Sequence, residues 1–159
     1  VRECDHGNRV AQGGRMSYRF WVFAAATLGM LGVLAGSVGA HALLGYPPEA
    51  KRVFDTALQY HIMHVPALLA VAWLASLDAP RRAASGWLTQ IAGMAFIAGI
   101  ALFSGVLYLR TVSGLSIGLP LPPIGGLMLI IGWVAMALAA FGLPDLRRPE
   151  RSERSGSDD

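Results

Sequence analysis

Charged residues are nearly absent from the central part of this sequence, and that scarcity constrains the fold more than any other feature. Between Phe20 and Leu143 only eight residues are charged, namely Glu49, Lys51, Arg52, Asp55, Asp78, Arg81, Arg82 and Arg110. Soluble domains carry roughly 25% charged residues because their surface faces water, whereas the whole chain has 14%. A water-soluble helical bundle could not cover its surface with so few charges, but a protein surrounded by lipid needs no polar surface.

The apolar residues fall into four long segments, which we place at about residues 20–44, 56–77, 83–109 and 122–143. Each exceeds the ~20 residues with which a helix crosses ~30 Å of hydrocarbon. Only helices and closed barrels satisfy their backbone hydrogen bonds in lipid, and these segments show no strand alternation. The sequence therefore predicts an all-α, polytopic membrane protein with four transmembrane helices, formed by residues 20–143.

Polar tails flank this membrane domain. Residues 144–159 are short, polar and charged, and we expect them to be disordered. Residues 1–19 form a polar N-terminal tail, of which residues 1–15 show no hydrophobic pattern. Because Met16 comes shortly before the first apolar segment, we interpret it as a start of translation that would leave residues 1–15 untranslated.

The distribution of arginine and lysine predicts the orientation in the membrane. With four crossings, one side carries ten cations, namely Arg2, Arg9, Arg15, Arg19, Arg81, Arg82, Arg147, Arg148, Arg151 and Arg154. The other side carries three, namely Lys51, Arg52 and Arg110. Cytoplasmic loops carry the excess of such residues, so we predict a multi-pass protein of the cell (plasma or inner) membrane with both termini in the cytoplasm. A pI of about 9.5 is explained in the same way, and we expect no nucleic-acid partner.

A signal peptide is the competing interpretation of the first segment. Ala40-His41-Ala42 resembles a cleavage site that follows a basic start and an apolar run. Cleavage there would leave three crossings. The apolar run is longer than the 7–15 residues typical of a signal peptide, which favours four.

Small residues repeat along the first and the last apolar segment. The candidate packing positions are Gly29, Gly32, Gly36, Gly125, Gly126 and Gly132. Glycine lets the backbones of membrane helices approach closely. We interpret these positions as packing within the chain, with a dimer interface as the alternative.

Four stretches of the sequence resemble the domain-of-unknown-function 423 family of small membrane proteins, whose relatives include transmembrane protein 256. They are Gly36–Leu43 (GSVGAHAL), Phe54–His64 (FDTALQYHIMH), Leu102–Leu109 (LFSGVLYL), and Pro123–Gly126 (PIGG) followed by Gly132-Trp133. The resemblance implies a multi-pass four-helix membrane protein. Because that family has no established activity, it implies no catalytic residue.

Several polar side chains fall inside the predicted spans, where they are costly and therefore point to function. At about 1.5 Å per residue, His61 lies about 9 Å and His64 about 13 Å deeper than Asp55, so His64 approaches the midplane. His61 and His64 are three residues apart and share a helix face. We predict a polar cluster in the outer half of the membrane, made of His41, Tyr60, His61, His64, Ser104 and Tyr108.

The chemistry of this cluster has several interpretations. Its side chains can hold helices together, at about 0.6–2 kcal/mol per hydrogen bond. Its histidines can exchange protons near pH ~6.5 in a carrier, although no acidic residue lies within a span. Histidines can also ligate a metal or haem, and lipid or quinone binding is a further alternative. Because the spans hold no cysteine or carboxylate to complete a metal site, we predict no cofactor.

No set of nucleophile, base and acid, no phosphate-binding glycine loop and no carboxylate pair is present, so we expect no enzyme. The first functional hypothesis is a structural or accessory membrane protein that associates with itself or with a larger membrane complex. The second is a small-solute or proton-linked carrier that uses the polar cluster. Haem or metal binding is a lesser alternative, and membrane lipid is the expected surrounding partner in every case.

Overall fold

The structure, a computed structural model, describes residues 16–77, 83–114 and 120–141, with only the backbone of Ala83 and Ala84. Residues 1–15, which we predict to be untranslated, and the C-terminal tail, which we predict to be disordered, lie outside these residues. So do Arg81 and Arg82, which count toward the predicted orientation.

Every regular element in the described ranges is helical. Helix α1 spans Tyr18–His41, α2 spans Pro48–Ser76 and α3 spans Ala83–Ile100. A π-helical turn, Ala101–Gly105, leads into α4, Val106–Ser113, and α5 spans Leu121–Ala140. Because α3, the π-helical turn and α4 are continuous, the described chain has four helices long and apolar enough to cross a membrane.

Local sequence explains where these helices begin and end. Helix α2 begins at Pro48, with Glu49 in its first turn, because proline lacks only an N–H that a first turn leaves free and an acid suits the helix N-terminus. The third span continues through Arg110 to Ser113, beyond the predicted end at residue 109. It stops at Gly114, whose φ of 67° ends the helix while its N–H donates to the Arg110 carbonyl.

Hydrogen bonds between helices show that the spans alternate in direction. Gln90 of α3 contacts the backbone of Met16, just before α1, through both atoms of its side-chain amide. At the same end, Ser85 of α3 donates to the Ala139 carbonyl of α5 at 2.9 Å. We call this end the tail side. The opposite end, where Tyr46 donates to the Val112 carbonyl, is the Arg110 side.

The core lies between α1, α2, α3 and α5. Trp21 of α1, Leu68 of α2 and Phe96 of α3 are fully buried in it. Large apolar side chains also cover the outside: Phe23 is 71% and Ile130 60% exposed. A surface with so many large apolar side chains suits hydrocarbon rather than water, as the scarcity of charge predicts.

Candidate functional site

Two histidines of α2 are buried inside the bundle at membrane depth. His61 is 4% and His64 2% exposed, and they are three residues apart on one face of α2. Buried polar groups at this depth need partners, because hydrocarbon supplies none.

Both ring nitrogens of His64 have a hydrogen-bond partner. Nδ1 lies 2.6 Å from the Tyr60 carbonyl one turn earlier on α2, and Nε2 accepts from the indole Nε1–H of Trp133 on α5 at 3.1 Å. A carbonyl can only accept and an indole N–H can only donate. This geometry therefore assigns the neutral tautomer of His64 with its hydrogen on Nδ1, and the ring joins α2 to α5.

The ring of His61 is less fully hydrogen-bonded than that of His64. Its Nδ1 lies 3.4 Å from the Tyr108 hydroxyl of α4, and its buried Nε2 makes no well-formed hydrogen bond among the described residues, although the ring lies near the Leu28 backbone of α1. The ring packs against α1 at Gly32, where a Cβ would lie 3.9 Å from Nε2. Tyr108 also packs against Phe54, at a ring-centroid distance of 4.8 Å.

Ser104 lies in the π-helical turn and is fully buried. Its hydroxyl donates to the Ala57 carbonyl of α2 at 2.7 Å, so its proton is directed at backbone rather than at a histidine. Short π-helical turns inside α-helices occur frequently at functional sites. Here the turn brings Ser104 to α2 and the backbone of Phe103 to α5.

The predicted polar cluster is therefore several separate contacts rather than one site. Tyr60 stacks on His64 at a centroid distance of 6.2 Å, Tyr108 contacts His61, and Ser104 bonds to backbone. His41, by contrast, lies exposed at the last residue of α1 on the Arg110 side.

Trp133 is the site residue that the sequence reasoning did not include. It lies twelve residues into α5, or about 18 Å along the helix. Tryptophan favours the membrane interfaces, and its N–H needs a partner when it is placed deeper. A tryptophan at this depth was a signal for a buried acceptor such as His64.

The predicted packing glycines lie at helix contacts within the chain. On α1, a Cβ added to Gly29, Gly32 or Gly36 would come within 3.3–3.7 Å of a side chain of α2. On α5, Gly125 meets the backbone of Phe103, and Gly126 lies beside the same residue's ring. Gly132 faces the ring of Phe96 on α3.

Metal ligation would need more donors than the described part of the chain supplies in one place. No group of three or more histidine, cysteine, aspartate or glutamate side chains there could hold a metal ion. Of the two buried histidines, only His61 keeps a ring nitrogen without a partner among the described residues. The geometry therefore suits hydrogen bonding between helices better than ligation.

Comparisons with known proteins agree with this architecture. Residues 35–126 match a family described as "Protein of unknown function (DUF423)". The chain is 37% identical to the UPF0382 membrane protein YwdK of Bacillus subtilis (strain 168), over 77% of this chain and 96% of that relative. It is 32% identical to the UPF0382 inner membrane protein YgdD of Escherichia coli (strain K12), over 80% and 94% of the two chains. No solved structure is significantly similar to the chain.

Proposed function

Because the chain belongs to the DUF423 family of UPF0382 membrane proteins, an uncharacterised family, we propose that it is a structural or accessory protein of the cell's inner membrane without catalytic activity. Its four-helix bundle would act as a rigid unit that associates with a second copy or with a larger membrane complex. No cofactor is required for this function.

The state of His64 carries the proposal. A histidine that binds a metal does so through a ring nitrogen without its hydrogen, and one that passes protons must change its hydrogen-bond partners as it gains and loses a proton. Both nitrogens of His64 are engaged, one by its own helix and one by Trp133 of α5. A protonated His64 would lose the bond from Trp133, because both nitrogens would then be donors.

Other buried hydroxyls in the described ranges are likewise engaged in hydrogen bonds. Ser104 joins the π-helical turn to α2, and Ser85 joins α3 to α5, each through a backbone carbonyl. Thr89 donates to the Ser85 carbonyl of its own helix. Because these three hydroxyls all donate to backbone, two of them between helices, they support a bundle specified by its interior rather than a site open to a substrate.

A double variant, His61→Ala with His64→Ala, tests the proposal. We expect it to melt at a lower temperature than the parent protein in detergent, because it removes the contacts that join α2 to α4 and α5. We also expect parent proteoliposomes to pass protons no faster than protein-free vesicles. His41→Ala is the matched control, since His41 is exposed, and it should leave melting unchanged. Proton flux in the parent that disappears in a double variant with unchanged melting would contradict the proposal.

One observation favours a second candidate, a proton-linked carrier. The buried Nε2 of His61 makes no well-formed hydrogen bond among the described residues, so the His61 ring could exchange a proton without breaking a bond between helices at that nitrogen. The carrier candidate predicts that His61→Gln abolishes flux while His64→Gln retains it. The structural proposal predicts no flux in either.

A further inference from the structure

A groove open to the surrounding lipid runs between α2, the π-helical turn and α5. Its volume is about 480 Å³. One wall is a stripe of α5 that includes Pro123, Gly126, Ile130 and Trp133, and the other is formed by α2, including Tyr60, Met63 and His64. Phe103 of the π-helical turn lies between them. The lining is almost wholly apolar and aromatic.

The length of the groove corresponds to one leaflet of a bilayer. Pro123 and Trp133 are ten residues apart on α5, which is about 15 Å along a helix and about half of the hydrocarbon thickness. Pro123 lies in the first turn of α5, on the Arg110 side. Trp133 and His64, the lining residues deepest on their helices, form the inner end. The groove therefore runs from the membrane surface to the midplane.

A positive charge stands beyond the outer end of the groove. Arg110 is exposed and lies seven residues past Phe103 toward the surface, or about 10 Å along the helix. It has no ion pair with any residue in the described ranges, whereas Arg52 pairs with Glu49 at 3.7 Å. Among the described residues, this side carries three cations, Lys51, Arg52 and Arg110, and two anions, Glu49 and Asp55. It therefore has an excess of one positive charge.

We propose that this groove holds one acyl chain of an anionic phospholipid whose phosphate lies against Arg110. The acyl chain fills the apolar groove to its inner end at Trp133 and His64. The guanidinium of Arg110 supplies the charge-assisted hydrogen bonds that a phosphate accepts. A prenylated quinone is the less suitable occupant, because both nitrogens of His64 are already engaged and Tyr60 offers the groove its one hydroxyl.

Quenching of Trp133 by brominated lipids tests this proposal. Trp73 and Trp87 are exposed to lipid and would be replaced by phenylalanine, whereas Trp21 is fully buried and would be kept. The protein is placed in phosphatidylcholine vesicles that contain a small fraction of either brominated phosphatidylglycerol or brominated phosphatidylcholine. We expect the anionic lipid to be preferred about fivefold, the effect of one cation at a membrane surface.

Two variants separate the acyl chain from the headgroup. Gly126→Leu fills the groove, and its Cβ would meet only the ring of Phe103, at 3.9 Å. It should remove the preferred quenching, whereas Ala137→Leu, an exposed position farther along α5, should not. Arg110→Gln should retain quenching but reduce the preference to about onefold, since it keeps the groove and removes the charge.

Several results would overturn the proposal. Equal quenching of the parent protein by the two brominated lipids would show ordinary lipid contact only. Unchanged preference in Gly126→Leu, with melting equal to the parent, would place the lipid elsewhere. Displacement of brominated phosphatidylglycerol by a prenylated quinone, equally in the parent and in Arg110→Gln, would assign the groove to the quinone.

Discussion

Gly125 of α5 lies directly against the backbone of Phe103 in the π-helical turn, so that two membrane helices touch main chain to main chain. A Cβ on Gly125 would collide with the backbone nitrogen of Phe103 and lie 2.9 Å from its α-carbon. Backbone atoms cannot rotate away as a side chain can. Only glycine permits this approach, which is the reason small residues favour helix contacts in lipid.

The neighbouring glycines of α5 give a matched test of that contact. We predict that Gly125→Ala lowers the free energy of unfolding by about 1–3 kcal/mol, the usual cost of overpacking. Gly126→Ala should be neutral or slightly stabilising, because its Cβ has room and alanine favours helix by about 1 kcal/mol. Unfolding of both variants in mixed detergent micelles provides the measurement. Equal effects of the two substitutions would contradict the close contact.

The Ser104 hydroxyl should contribute less to the free energy of unfolding than the close contact at Gly125 does. Ser104→Ala removes the 2.7 Å bond to the Ala57 carbonyl and should lower stability by about 0.5–1.5 kcal/mol. Ser37→Ala is the control, because Ser37 lies exposed on α1 and should lose nothing. Chemical denaturation of both variants would decide, and a Ser104→Ala protein as stable as the parent would show that the hydroxyl does not join the helices.

The predicted orientation can be tested by labelling single cysteines. In a Cys4→Ser background, Gly45→Cys lies in the loop between α1 and α2, where a Cβ meets nothing within 4 Å. Ser17→Cys precedes α1 at the opposite end. A membrane-impermeant maleimide added to intact cells should label Gly45→Cys, but should label Ser17→Cys only after the membrane is opened. The reverse pattern would place both termini outside the cytoplasm and the loop at Gly45 inside it.

Much of the fold could be predicted because hydrocarbon imposes strong rules on sequence. The four apolar segments required helices, although α2 begins at Pro48, before the apolar segment predicted from residue 56. The exact end of the third span was less predictable, because Arg110 is charged yet lies within the helix. A long side chain can carry its charge to the interface from inside a span, so charge alone does not fix the end.

The site was predictable only in part. The depth and spacing of His61 and His64 followed from helix geometry, since both lie on one element. The contact of Trp133 with His64 and the presence of the π-helical turn depend on how α5 packs on α2 and α3. No local sequence pattern predicts that packing. For the same reason, His41 was grouped with residues from which the structure separates it.

A double-mutant cycle between His64 and Trp133 tests most directly whether the mid-membrane histidine holds helices together. The free energy of unfolding would be measured for the parent, His64→Ala, Trp133→Phe and the double variant, with Trp73→Phe in place of Trp133→Phe as control. We predict a coupling of about 0.6–2 kcal/mol between His64 and Trp133, and none between His64 and Trp73. A coupling near zero between His64 and Trp133 would show that this histidine does not join α2 to α5.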